Sequence, residues 1–312
     1  MLKKHCGNIM LLITAIIWGT AFVAQSEGMN YVQPFTYNAV RTLLGGVALI
    51  PCIFLLKRFK KDHSAVQNSS STKATIKGGI CCGLIMFVAS SFQQFGIKYT
   101  TAGKAGFITA LYIIIVPLLG IFFGRKTSLK TWICAGTAVI GFYLLCINGS
   151  FSVAKGDLLV LLCAVFFAMH IIVVDHFNSQ NADGIVMSCI QFFTAGILLM
   201  LCMFIFETPT LSGIAAARFT ILYTGIMSCG IAYTLQIIGQ RYTAPAIATL
   251  LMSLESVFAA LSGWLILSEK LSIKELTGCA VVFSAVILAQ LDIKTKTFHK
   301  NGEKKYEKET FQ

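Results

Sequence analysis

Charge is the scarcest thing in this sequence. Of 312 residues, 12% are Asp, Glu, Lys or Arg, and 56% are hydrophobic. Soluble domains carry about 25% charged residues, and half that share cannot cover the surface of a chain this long. A water-soluble enzyme, a fibrous protein and a disordered chain are all excluded on these counts. Other absences narrow the chemistry. There is no Gly-x-x-x-x-Gly-Lys loop, no His-Glu-x-x-His and no Gly-x-Ser-x-Gly, so the usual signatures of an ATP site, a zinc protease and a hydrolase are missing. Eleven cysteines are present, but none stands in a Cys-x-x-Cys pair. Ten of them (Cys52, Cys81, Cys82, Cys134, Cys146, Cys163, Cys189, Cys202, Cys229 and Cys279) lie inside apolar runs and Cys6 precedes the first. Cysteine in such surroundings behaves as a small hydrophobe, so neither a disulfide framework nor a metal site is expected, and no cofactor is implied.

What the sequence does contain is long apolar segments. A helix needs about 20 mostly apolar residues to span a bilayer. Ten runs qualify, at 8–25, 34–56, 77–97, 102–124, 131–147, 156–177, 184–205, 217–238, 244–267 and 273–291. Barrel strands would instead alternate over shorter segments. The expected fold is an all-α polytopic membrane protein with ten transmembrane helices. Most connections are short; the exception is the polar, basic stretch 57–76, expected to be a loop.

The net charge of +12 could suggest a nucleic-acid partner, but lysines and arginines that flank spans follow the positive-inside rule. With the N-terminus inside, inner segments hold 18 of the 25 Lys and Arg, outer segments hold 6, and Arg41 lies within a span. Both termini are therefore expected in the cytoplasm, with a lysine-rich tail at 293–312. No nucleic acid is expected as a partner. The first span follows Lys3 and Lys4 and ends in Ala-Phe-Val-Ala, which resembles a secretory leader. Its removal would leave nine helices and break the repeat described next, so it is read as retained. Asn148-Gly-Ser matches a glycosylation sequon, relevant only in a eukaryotic secretory pathway.

The chain repeats itself. Phe92-Gln-Gln-Phe-Gly-Ile-Lys-Tyr-Thr100 resembles Leu235-Gln-Ile-Ile-Gly-Gln-Arg-Tyr-Thr243 at an offset of 143 residues. The same offset aligns Thr-Ala-Leu-Tyr112 with Met-Ser-Leu-Glu255, and Gly7-Asn8 corresponds to Gly156-Asp157. The chain thus reads as a first repeat over 1–150 and a second over 151–292, five helices each. Five is odd, so the second repeat enters the membrane from the opposite side. Inverted repeats are a transporter architecture, with the substrate site near the midplane where the halves meet.

These segments resemble the EamA family of the drug/metabolite transporter superfamily, over about residues 8–291. The resemblance rests on Trp18-Gly-Thr-Ala-Phe, Pro34 followed by Arg41, Tyr99-Thr-Thr-Ala-Gly-Lys-Ala-Gly-Phe-Ile-Thr-Ala-Leu-Tyr112 running to Pro117, Leu254-Glu-Ser-Val-Phe258 and Ser268-Glu-Lys-Leu-Ser272. It implies a ten-helix exporter of small metabolites or drugs in the bacterial inner membrane, without fixing one substrate. One departure is Ser256, where the family often has proline; this puts a proline kink in that helix in question.

Charges are costly in hydrocarbon, and an intramembrane one is a functional candidate by default. Only Arg41 and Glu255 lie well inside spans. Glu255 has three readings: a proton carrier, a ligand for a cationic amine, or a structural group paired with Arg41 or a tyrosine. Arg41 could hold a carboxylate or phosphate, or could snorkel to the surface or cap carbonyls. Buried amides need partners that a cavity supplies, which selects Gln93, Gln94, Gln191 and Gln236; Gln25 is read as wetted at a helix end. Trp18, Tyr37, Tyr112 and Tyr233 could line the same cavity or serve as ordinary packing. His170 could titrate near neutral pH or be merely hydrogen-bonded. Gly79-x-x-x-Gly83 and Gly120-x-x-x-Gly124 read as close helix packing within the fold.

The expected function is secondary transport of a small metabolite or drug-like molecule across the cytoplasmic membrane by alternating access. Efflux by proton antiport leads, and an uncoupled facilitator or channel is the alternative. A membrane-embedded enzyme or a receptor is disfavoured, since the outer segments offer only scattered Glu27, Glu207 and Glu269. Partners are the substrate, the lipid bilayer and protons, in a monomer or homodimer.

Overall fold

A computed structural model of the chain describes residues 2–60, 69–100, 102–122, 124, 127–146, 155–266 and 272–290. Every regular element among them is helical: α1 (Leu2–Gly28), α2 (Pro34–Lys60), α3 (Ser69–Tyr99), α4 (Ala102–Thr109), α5 (Tyr112–Phe122), α6 (Leu129–Cys146), α7 (Lys155–Ser179), α8 (Gly184–Phe206), α9 (Leu211–Ala216), α10 (Arg218–Leu222), a π-helical segment (Tyr223–Tyr233), α11 (Thr234–Gln240), α12 (Pro245–Met252), α13 (Glu255–Ile266) and α14 (Ile273–Gln290). Eight helical stretches are long and apolar enough to cross a membrane. Two shorter apolar helices, Leu129–Leu144 and Leu276–Ala289, stand where the fifth and tenth spans are expected. The exterior is apolar, with exposed Phe204, Ile205, Phe206 and Phe122, while Asn38, Gln94, His170, Ser188 and Gln191 are buried. That inversion of the soluble pattern suits lipid outside and hydrogen-bonded polar groups inside.

The expected loop 57–76 is shorter than its composition suggests. α2 runs to Lys60 and α3 begins at Ser69, so both ends of the stretch are helical and 61–68 lie outside the described residues. Lys and Arg are good helix formers, and a helix continues past the bilayer where nothing stops it. The tail 293–312, the Asn148 sequon, and Ser268 to Leu271 also lie outside the described residues.

Local chemistry sets the helix ends. Pro34 and Pro245 open α2 and α12, where a missing N–H costs nothing. Asp183 caps α8 by accepting from the N–H groups of Ile185 and Val186 at 3.1 and 3.2 Å. Glu207, just past α8, caps a different helix: it accepts from Phe35 N (2.8 Å), Thr36 N (2.7 Å) and Thr36 Oγ1 (2.7 Å) at the start of α2. Small residues set how closely helices approach. A Cβ on Gly79 would lie 2.6 Å from Ile190 Cβ and one on Gly83 2.5 Å from Thr194 Cβ, so the first glycine pair joins α3 to α8 as expected. Gly124 differs: its φ is +72° and a Cβ would meet nothing within 4 Å. It turns the chain after α5 and packs nothing close.

Residues paired by the sequence repeat make matching contacts with the halves exchanged. Thr243 Oγ1 donates to Asn8 Oδ1 at 3.1 Å, tying the segment after α11 to the start of α1. Thr100 Oγ1 donates to Asp157 Oδ1 at 2.6 Å, tying the end of α3 to the start of α7. Beside them, a Cβ on Gly7 would lie 3.0 Å from Gly239 O, and one on Gly156 2.8 Å from Gly96 O. Deeper in, Gly83 faces Thr194 and the Gln191 carbonyl, while Gly225 faces Leu44 and the Arg41 carbonyl. The two hydrogen bonds sit far apart along α1. Gln94 of α3 donates to Gln25 O at 3.4 Å, placing the Thr100 end of the structure beside the C-terminal part of α1. Asn8 is at its start, and the helix between rises about 25 Å at 1.5 Å per residue.

Candidate functional site

The helices expected as the fourth and ninth spans are both interrupted, at repeat-related positions. Leu111 N donates to Ile108 O (3.2 Å) and Leu254 N to Leu251 O (3.3 Å). These tight turns end α4 and α12 and restart the chain as α5 and α13. The first residues after the breaks are Tyr112 and Glu255. The interruption at Leu254 needs no proline: Ser256 instead donates its hydroxyl to Gly106 O of α4 at 2.8 Å. A carboxylate in the first turn of a helix faces the positive end of its dipole.

Around these breaks lies a pocket lined from both halves of the chain. Seven of the sequence candidates line it: Glu255, Arg41, Gln93, Gln236, Tyr112, Tyr233 and Trp18. Glu255 is 2% exposed and Arg41 5%. Arg41 therefore does not snorkel to the surface. Its Nε donates to Asn38 Oδ1 one turn earlier (2.8 Å), and Asn38 Nδ2 donates to Ser90 O (2.8 Å), so the guanidinium is held in place from below. Its carbon also stands 5.7 Å from the Tyr37 ring centre. Arg41 and Glu255 do not form an ion pair with each other. Glu255 Oε1 has no hydrogen-bond partner; Tyr112 lies within electrostatic reach of Glu255, and Tyr233 within reach of both Arg41 and Glu255. Gln93 Nε2 reaches Thr109 Oγ1 at 3.5 Å, and Gln236 Oε1 is unpartnered.

Three candidates and one further amide lie elsewhere. Tyr37 is buried as packing, its hydroxyl donating to Thr220 O at 3.1 Å and sharing a hydrogen bond with Thr224 Oγ1. His170 Nε2 bonds Gln191 Oε1 at 3.0 Å, behind the cavity wall. Its ring meets Tyr233 edge-on at 6.0 Å, so the pair backs a lining residue without lining the cavity itself. Gln94 faces α1, as above.

The structure also adds residues: Phe22, Gln25, Thr109, Phe167, Ile171 and Ser228 line the cavity. Gln25, expected to be wet, is 4% exposed. Its Nε2 donates to Ala21 O at 3.2 Å and its Oε1 is unpartnered. The signal was present: Trp18, Phe22 and Gln25 share one helix face at i, i+4 and i+7. Phe167 and Ile171 have the same spacing. Ser228 and Tyr233 are five apart, which shares a face only in the wider turn of a π-helix, a form frequent at functional sites. Trp18 Nε1 donates to Ser228 O at 3.4 Å, and the Trp18 and Tyr233 rings stand 4.6 Å apart.

An apolar exterior, interrupted spanning helices and a pocket lined from both halves by polar and aromatic side chains define a multi-pass membrane protein with an internal site. The chain belongs to the EamA-like transporter family, whose sequence profile matches residues 5–147 and again 154–291. An uncharacterized transporter of Archaeoglobus fulgidus is 29% identical over 292 residues, covering 93% of this chain and 88% of that one. The uncharacterized inner membrane transporter YedA of Escherichia coli strain K12 is 25% identical, over 88% of each chain. A solved crystal structure shares the fold with a TM-score of 0.74 at 19% identity, covering 91% of this chain and 96% of that one. The protein is thus a membrane transporter acting on a small molecule.

Proposed function

We infer that the protein is a secondary transporter that works by alternating access, exporting a small solute across the cytoplasmic membrane in exchange for protons. Ten helices form two inverted five-helix repeats, over 1–150 and 151–292, with both termini in the cytoplasm. One observation carries this reading: a cavity lined from both halves, in a fold where repeat-related residues make matching contacts between the halves. In this reading the Asn8–Thr243 contact serves as the closure on the cytoplasmic side and the Thr100–Asp157 contact as the closure on the outer side. A carrier must break one while keeping the other, and two equivalent halves supply two equivalent closures.

Glu255 is the coupling group. Among the described residues it is the one carboxyl lining the cavity, and none of their cations pairs with it. A carboxyl in the cavity can hand a proton to, or take one from, whichever side the cavity faces. Arg41, Gln93, Gln236, Tyr112, Tyr233 and Trp18 contact the solute. His170 and Gln191 hold Tyr233 from behind, and Tyr37 fixes the start of α2.

The test is purified protein in liposomes, screened with amino acids, nucleobases and cationic drugs, with and without a pH gradient. Saturable counterflow of at least one solute, accelerated when the lumen is acid, is the expected result. Non-saturable flux would make the protein a channel, and saturable exchange indifferent to the gradient would make it a facilitator.

A further inference from the structure

The two halves differ along one line of residues. On α11, Gln236 lines the cavity. Gln240 follows one turn later on the same face, about 6 Å further along at 1.5 Å per residue. Thr243 ends the line at its bond to Asn8. All three are buried, Gln240 to 2% exposure. Gln240 Nε2 donates to Ile171 O at 3.4 Å, and Ile171 is itself part of the cavity wall. Asn178, two turns beyond Ile171 on α7, donates its Nδ2 to Ile237 O at 2.7 Å. These bonds orient both amides and leave their oxygens over. Gln240 Oε1, Asn178 Oδ1 and Gln236 Oε1 are all buried with no donor among the described residues. Buried amide oxygens are met by protein donors or by ordered water. At the end of the line the backbones nearly touch: a Cβ on Gly7 would lie 3.0 Å from Gly239 O, and one on Gly239 3.0 Å from Gly7 O. That is too close for a solute to pass there, but a proton moves along hydrogen bonds and needs no such opening.

The equivalent line on α3, at the same offset of 143 residues, is Gln93, Ile97 and Thr100. Ile97 stands where α11 has Gln240, buried in an apolar cluster with Phe22, Ala105, Val160 and Ala259. Gln94, the other buried amide of this stretch, lies about 100° around the helix from Gln93 and donates to Gln25 O, off that line. One half therefore continues the cavity as a polar file, and the other stops it with a hydrocarbon side chain.

We propose that Gln236, Gln240 and Thr243, with Asn178 joined to them at Ile237, form a proton path from Glu255 to the cytoplasmic side, and that Ile97 blocks the equivalent path to the outer side. The proposal rests on the proton-exchange reading and names the route by which that site exchanges its proton. Gln240 and Ile97 are positioning residues; neither lines the cavity. In each cycle the Glu255 O–H bond breaks, the electron pair stays on the carboxylate, and the proton passes to a hydrogen-bonded water. The last water of the file gives up a proton at the surface. The amides orient that water and are not themselves protonated. The ionisable side chains around Glu255 are Arg41 of α2, Tyr112 of α5, Cys163 of α7 and Tyr233 of the π-helical segment, with His170 of α7 behind Tyr233. None of them belongs to either line. Arg241, the one charged residue between Gln236 and Thr243, donates to Ala182 O. A proton taken up from outside thus leaves to the cytoplasm while the Asn8–Thr243 closure stays shut, and the blocked outer line keeps the protein from leaking protons.

The experiment uses the full-length protein in liposomes, with protons themselves as the probe. They are driven by a potassium diffusion potential, without solute, and read by a pH dye in the lumen. Ile97→Gln opens the second line, so both faces reach Glu255 at once. This variant should leak protons about tenfold or more faster than the wild type, a gain that unfolded protein does not imitate. Ile97→Ser, smaller than isoleucine, is run beside it and should leak as well. Adding Gln240→Leu should abolish the leak, and adding Gln240→Asn in its place should retain it. Adding Glu255→Gln should also abolish it. No leak in either Ile97 variant overturns the proposal, and gradient-accelerated exchange by the wild type would then leave the coupling reading standing. A leak that survives Gln240→Leu also overturns the path. A leak that survives Glu255→Gln overturns both the path and the role of the carboxyl.

Discussion

Replacing Gly19 with alanine adds one methyl group at the point where α1 crosses α13. The new Cβ would lie 2.4 Å from Phe258 Cβ, 2.7 Å from Glu255 O and 2.8 Å from Ala259 N. Non-bonded carbons prefer about 3.5–4.0 Å, so the helices must separate by about 1 Å. Two of the three atoms are backbone, so no rotamer change relieves the contact. Overpacking of this kind costs about 1–3 kcal/mol, and the displaced segment carries Glu255 itself. Gly19→Ala should therefore lower the melting temperature of the detergent-solubilised protein and slow solute exchange by more than the loss of folded protein explains. Gly136→Ala on α6 is the control, because a Cβ there meets nothing within 4 Å. It should be neutral or gain about 0.5–1 kcal/mol from helix propensity. Equal melting temperatures for the two variants, or a Gly19 variant that exchanges normally, would refute the argument.

Two further perturbations probe other parts of the account. In a background free of native cysteines, a disulfide between Asn8→Cys and Thr243→Cys, or between Thr100→Cys and Asp157→Cys, should stop exchange, and a reductant should restore it; exchange that continues with either bridge intact contradicts alternating access. Removing one member of the buried His170–Gln191 pair (3.0 Å) leaves the other unsatisfied. His170→Leu should cost about 1–3 kcal/mol, whereas His170→Leu with Gln191→Leu should recover much of it, as read by thermal unfolding of the three proteins.

Much of this was legible in the sequence. Apolar runs of about 20 residues locate the eight long helices, since a bilayer admits few alternatives. The Gln93/Gln236 and Tyr112/Glu255 correspondences identified residues that do line one cavity. Arg41 and Glu255 were found because charge is so rare in the spans. What was not legible follows from geometry that one-dimensional periodicity does not carry. The π-helical segment alters which residues share a face, so Ser228 joined Tyr233 unannounced. The helix breaks at Leu111 and Leu254 involve no proline or glycine at those positions, and nothing in composition marks them. The sequence leaves open whether Arg41 snorkels; Asn38, three residues earlier, is what holds it inside. Gln25 was judged by its position near a helix end, although its spacing from Trp18 already placed it on the inner face.

The most direct test is Glu255→Gln in liposomes with an acid lumen. Gln has nearly the same shape but cannot exchange a proton. With a solute that the wild-type protein concentrates under this gradient, the variant should still carry out counterflow at saturating solute but should no longer concentrate it. A variant that concentrates the solute as the wild type does would show that the cavity carboxyl does not couple transport to protons.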